Sequence, residues 1–174
     1  MSRLRRIARS QAFTIVELLI VIAVLVIAAA IVIPSIGSAA DAQAISAARV
    51  LGSDLEVTRS LALTTQQPHS LVFSPDLQSY KVLANYSGEP YASAVAIAHP
   101  VAAGKQFEVT LSRQNGMSAV RIVGPAFGGK TYVAFNSQGE PSSGGTVTVE
   151  SGQVEMQISV AALTGAVTVT RVSG

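Results

Sequence analysis

From Leu18 to Ile33 every residue is apolar, and one acid, Glu17, stands just before the run. A stretch of roughly 20 such residues matches a hydrocarbon core about 30 Å thick. Residues 13–33 are therefore expected to form a transmembrane helix. Pro34 follows, with no N–H to donate and a ring that crowds the preceding turn, and a kink is expected there. Beyond it Ile36, Ala40, Ala44, Ala47, Leu51, Leu55 and Ala62 recur at steps of three or four, the last step of seven being one of each. That spacing draws an apolar stripe down one helix face. Asp41, Gln43, Arg49, Asp54, Glu56 and Arg59 fall largely off the stripe. Residues 34–66 read as an amphipathic helix continuing the span and fading near Thr65–Pro68.

From His69 onward the alternation shifts to a period of two, the signature of half-buried strands. Ser70–Ser74 and Ser79–Leu83 form a predicted hairpin around Pro75-Asp76. Further strands are expected at Gln106–Ser112, Ser118–Val123, Thr131–Asn136 and Thr146–Glu150. Val154–Val160 and Ala166–Val172 close the chain as a last hairpin. Residues 85–104, with Gly88, Pro90, Pro100 and Gly104, read as an irregular connection. The expected class is α+β: one long N-terminal helix whose distal half packs on an antiparallel sheet. Its parts are a basic leader at 1–12, the span at 13–33, the amphipathic helix at 34–66 and a β-rich domain at 67–174.

Charge sharpens this outline. The 174 residues carry 12 basic and 10 acidic side chains, and Arg3, Arg5, Arg6 and Arg9 all precede the span. Arginines beside a span hold that end on the cytoplasmic side and send the C-terminal part across. Without the leader, eight basic residues face 10 acidic ones, a formal charge of −2. Arg113, Arg121, Lys130 and Arg171 are scattered, so no basic face for phosphate contacts is drawn and nucleic acid is not an expected partner.

The candidate chemistry is sparse. With no cysteine there is neither a disulfide framework nor a thiol nucleophile. His69 and His99 are isolated beside Pro-containing loops and read as surface residues, so no metal site is expected. Asp76, Glu89 and Glu140 lack calcium-loop spacing. The Gly128-Gly129 and Gly144-Gly145 pairs lack Walker spacing and read as turns. No catalytic residue, cofactor or enzymatic activity is expected. Glu17 is the exception that calls for an explanation, because a carboxylate just inside a bilayer costs roughly 3 kcal/mol and ordinarily has a partner.

Ala12-Phe-Thr-Ile-Val-Glu-Leu-Leu-Ile-Val resembles the class III signal of type IV pilins and type II secretion pseudopilins. The resemblance implies a cut between Ala12 and Phe13 by a prepilin peptidase, which also methylates the Phe13 amine. Ala12 stands where the family usually has Gly. Glu17 occupies the family's acidic fifth mature position, implying a pairing with a subunit N-terminus during assembly. Pro34 matches the family's helix kink. Leu51-Gly-Ser-Asp-Leu-Glu-Val-Thr-Arg-Ser-Leu-Ala-Leu63 and Leu71-Val-Phe-Ser-Pro-Asp-Leu-Gln-Ser-Tyr80 resemble the H-type minor pseudopilins and the related FimT-like minor pilins. So do Phe135-Asn-Ser-Gln-Gly139, Ser142-Ser-Gly-Gly145 and Thr164-Gly-Ala-Val-Thr-Val169. The implied function is that of a minor pseudopilin, a structural and assembly subunit of the periplasmic filament of type II secretion. The alternative is a minor type IV pilin acting in pilus initiation, adhesion or DNA uptake. The implied partners are the peptidase/methyltransferase, other pseudopilins or pilins, and inner-membrane lipid. The implied location is the inner membrane, with the C-terminal domain periplasmic.

Overall fold

The computed structural model describes residues 14–173 apart from residue 115, and for 29–38 only the helical backbone. Helix α1 spans Ile15–Thr65. Eight strands follow: β1 (His69–Phe73), β2 (Ser79–Ala84), β3 (Glu108–Thr110), β4 (Arg121–Phe127), β5 (Tyr132–Phe135), β6 (Gly145–Ser151), β7 (Val154–Val160) and β8 (Val167–Ser173). The chain divides into two units between Ile36 and Gly37.

In the second unit the apolar stripe does what its spacing demands. Ala44, Ala47, Leu51, Leu55 and Ala62 are fully buried, together with Ala48. Small residues dominate the stripe, so the helix lies close to the strands: a Cβ added to Gly52 would reach Val169 of β8 at 3.0 Å. The helix stops where Gln66 takes a left-handed conformation (φ 57°), with Pro68 two residues on.

Where a single sheet was expected, the strands form two four-stranded antiparallel sheets, ordered β3-β2-β1-β5 and β4-β6-β7-β8. A main core joins the helix stripe to Phe107, just before β3, and to inward residues of both sheets, including Phe73, Tyr80, Phe127, Phe135, Val147 and Ile158. Phe73 and Phe127 stack across the sheets at 6.4 Å. A smaller cluster of Val72, Leu83 and Ala94, packed with Tyr86, Tyr91 and Tyr132, buries the other side of β1 and β2.

Three local readings change. The strand expected at Gln106–Ser112 is only β3, after which Leu111–Arg113 turn into a 3₁₀ segment. The strand expected at Ser118–Val123 runs instead over β4, through Gly124 and Pro125. Its pairing with β6 shifts register between Val123 and Ala126, so the Gly-Pro pair sits in a bulge on an edge strand, where a missing N–H costs no ladder bond. His69, expected at the surface, is buried in β1 between Ala84 and Phe135, its ring Nδ1 3.0 Å from the Gln67 carbonyl.

Candidate assembly site

The start of α1 is built by its own sequence. The Thr14 hydroxyl accepts the Glu17 N–H at 3.2 Å, and the Thr14 carbonyl accepts the Leu18 N–H at 3.1 Å. Thr14 is thus the helix cap and Glu17 the third helical residue, the Thr-x-x-Glu spacing of a capping box. This spacing is visible in the sequence, and it gives Thr14 a capping role beside the acid. The Glu17 carboxylate falls in the first turn, where the helix dipole favours negative charge.

From Leu18 to Ile33 the helix carries no polar residue. The large apolar side chains from Ile15 to Ile27 are 44–81% exposed on every side of the helix. A helix apolar all round needs lipid or neighbouring chains to cover it. Ala12 and Phe13 lie outside the described residues, as does the whole leader. Pro34 lies within α1, where only the backbone is described. Among the described residues no helix is long and apolar enough to cross a membrane; the predicted span also takes in Phe13, which lies outside them, and residues 29–33, described only as backbone.

Far along α1, three of the distinctive sequence motifs come together. Arg59 Nε donates to the Gly139 carbonyl at 3.1 Å, and Glu56 Oε1 accepts the Val167 N–H at 3.1 Å. Gly165, at φ +66°, packs so tightly that an added Cβ would stand 2.6 Å from the Gly139 oxygen and 3.2 Å from Arg59 Nε. Gly144 has equally little room, its Cβ position lying 2.8 Å from Ala162. The motifs around Gly139, Gly144 and Gly165 are therefore one joint, closing the β5–β6 and β7–β8 connections onto the helix.

Deeper in the same helix, Asp54 accepts the Tyr80 hydroxyl at 2.6 Å. The aspartate was expected off the buried stripe, but it is half-buried. Desolvation raises its carboxyl above the ordinary value, against the lowering effect of the Tyr80 bond and of His99. Burial, then the neighbouring carboxylate, hold the Tyr80 phenol well above its usual value. Among the described residues no group of three or more His, Cys, Asp or Glu is placed to hold a metal.

The connection between β2 and β3 is ordered by the chain itself. Lys81 of β2 donates to the Tyr91 carbonyl at 3.2 Å and the Ala94 carbonyl at 3.3 Å, and its ammonium lies 4.4 Å from the Tyr91 ring centre. The Tyr91 hydroxyl meets Ser79 Oγ at 2.9 Å, and the Ile97 N–H bonds to the Val82 carbonyl at 2.9 Å. Next to it, Lys105, Gln106, Glu108, Thr110, Arg113 and Gln114 line an open polar groove of about 560 Å³.

The family model for the type II transport protein GspH matches residues 47–165. The chain belongs to the GspH family. Members of this family are minor pseudopilins, which form filaments with other subunits. The match covers the distal part of α1, both sheets and the Arg59 joint, and stops short of the Phe13–Pro34 motif. No curated protein matches the sequence. Among solved structures, the type IV minor pilin FimU of Pseudomonas aeruginosa PAO1 superposes with a TM-score of 0.54 at 15% identity, covering 73% of this chain and 87% of FimU. A second crystal form of FimU gives 0.50 at 13% identity, covering 72% and 90%. The minor pseudopilin EpsH from the type II secretion system of Vibrio cholerae gives 0.51 at 10% identity, covering 76% and 97%. A pilin and a pseudopilin are thus matched alike, and these likenesses establish the pilin-like fold alone. The GspH match is what favours the pseudopilin branch.

Proposed function

We propose that this minor pseudopilin is made with its arginine-rich leader, cut between Ala12 and Phe13 by a prepilin peptidase, and methylated on the new Phe13 amine. Residues 13–33 then anchor it in the inner membrane, with the C-terminal domain in the periplasm until it enters the filament. Pro34 removes one helix hydrogen bond at the end of the span and gives the helix a place to bend. The chain acts by assembly and performs no chemistry of its own.

The capped start of α1 carries this reading. Thr14 fixes the first turn, Glu17 sits in it, and an apolar surface begins at once. The cut creates a cation four residues before Glu17, about one helical turn away. In a low dielectric a carboxylate and an amine attract strongly, and each offsets the desolvation of the other. Between neighbouring subunits that pairing fixes the register in which one helix lies against the next.

Mass spectrometry of the mature chain tests the processing step: the expected species begins at methylated Phe13, and a functional chain retaining Met1 refutes it. Glu17→Val tests the pairing. Membrane insertion is expected to persist while co-purification with partner subunits falls at least tenfold; undiminished co-purification overturns the role of the acid. Tight, salt-sensitive DNA binding by the full chain would instead move the assignment to the minor type IV pilins.

A further inference from the structure

His99 sits half-buried on the β2–β3 connection, its ring centre 4.5 Å from that of Phe107. Its Nδ1 accepts two backbone N–H bonds, from Val101 and from Ala102, each 3.1 Å long. A ring nitrogen that accepts carries no proton, so this geometry is that of the tautomer with its hydrogen on Nε2. The same few residues are closed by the His99 N–H on the Lys105 carbonyl at 2.8 Å and the Lys105 N–H on the Ala102 carbonyl at 3.1 Å. Residues 99–105 are therefore a small hairpin whose inner N–H groups depend on one lone pair.

We propose that His99 is a proton-operated latch: protonation of Nδ1 releases the Val101 and Ala102 N–H groups and loosens the 99–105 hairpin. The proton takes up the lone pair on which both bonds converge and sets a donor against two donors. No rotation of the ring replaces the loss, because both nitrogens of an imidazolium donate. Histidine is the side chain whose charge ordinarily changes between about pH 5 and 8. The Asp54 carboxylate on α1 lies within Coulombic reach of the ring, and Lys105 is joined to the segment through its backbone. Glu108 on β3 is drawn instead toward Lys81, at 4.0 Å. The consequence lies in the polar groove, because Lys105 and Gln106 form one of its walls. Acid thereby reshapes one side of a surface bearing Glu108, Thr110 and Arg113. The proposal concerns the β domain and stands independently of how the N-terminus is processed.

Amide hydrogen exchange and ¹⁵N shifts of the full chain in detergent micelles test it between about pH 7.5 and 5. Corrected for intrinsic exchange, protection at Val101 and Ala102 is expected to fall about tenfold as His99 titrates, the equivalent of one lost hydrogen bond, while β1 and β2 keep theirs. His99→Asn supplies a side-chain carbonyl that accepts the same N–H groups without titrating, so protection should be independent of pH. His99→Ala should leave the hairpin loose throughout. Unchanged protection while the imidazole ¹⁵N shifts show His99 protonated overturns the latch. So does a neutral ring carrying its hydrogen on Nδ1, or an Asn variant that loosens in acid like the parent.

Discussion

Replacing Lys81 with methionine keeps the length of the side chain and removes its ammonium. In the native fold the side chain is 11% exposed and its ammonium is the donor shared by the Tyr91 and Ala94 carbonyls. Leaving a buried carbonyl unpaired costs about 1–3 kcal/mol. The Ala94 bond is buried and bears that cost, whereas the Tyr91 carbonyl is partly exposed and recovers some of it from water. Loss of the cation over the Tyr91 ring adds roughly 0.5–1 kcal/mol. The contact with Glu108, at 4.0 Å and with the acid 41% exposed, contributes little. Against these losses stands the relief of no longer desolvating a charge, which is large when a buried ion lacks partners and small when carbonyls and a ring already surround it. The net expectation for Lys81→Met is a destabilisation of about 2 kcal/mol, a shift of the urea midpoint on the order of 1 M.

The chain has no tryptophan and four tyrosines, so tyrosine fluorescence follows the transition, and Tyr91 lies within the affected segment. Amide exchange separates local from global effects. Ala94 and Ile97 should lose protection first, because their segment is held by Lys81 and by the ladder contact at Val82. An unchanged or raised midpoint, with Ala94 and Ile97 still protected, would show that desolvating the ammonium outweighs its bonds and that the connection is ordered by Tyr91 and the apolar cluster alone.

Two further outcomes follow from the helix-to-sheet contacts. Because Asp54 has its carboxyl raised in the fold, the folded state binds more protons than the unfolded chain between the ordinary aspartate value near 3.9 and the raised one. Its contribution is therefore fully present below the unfolded value and lost as pH rises through the folded one. Asp54→Asn should abolish this component, so the difference in urea midpoint between parent and variant should shift in favour of the parent on acidification; a pH-independent difference refutes it. Gly165→Ala forces a side chain into φ +66° and against the Gly139 carbonyl. It should cost about 1–3 kcal/mol, lowering Tm by on the order of 5 °C, and an unchanged Tm would mean that the Arg59 joint yields freely.

How far the fold was legible follows from the range of the forces that set each part. The helix stripe is a local pattern, and Ala44, Ala47, Leu51, Leu55 and Ala62 are buried as their spacing required. Strands also declare themselves locally, and Val154–Val160 matches β7 residue for residue. Pairing does not, because it depends on closing loops of very different length. β5 follows β4 in the chain yet lies beside β1 in the other sheet. A period of two says which residues face a core and is silent on which core. Gly124-Pro125 reads as a strand breaker until β6 is placed alongside, and only then is a bulge at an open edge seen to absorb it. The same limit governs the polar residues. Thr14 and Glu17 are three residues apart, so their capping bond was available from spacing alone. Asp54 meets Tyr80 across 26 residues, and Arg59 meets Gly139 across 80. Each looks like a solvated helix residue until the strands close over it. The family-like motifs around Gly139, Gly144 and Gly165 were legible as resemblance and obscure as physics. Assembled, Gly144 and Gly165 leave no room for a Cβ and a Cβ at Gly139 would stand 3.1 Å from Leu63, because two turns and a helix must touch. A sequence records such a joint as separate glycines, and the fold alone brings them to one place.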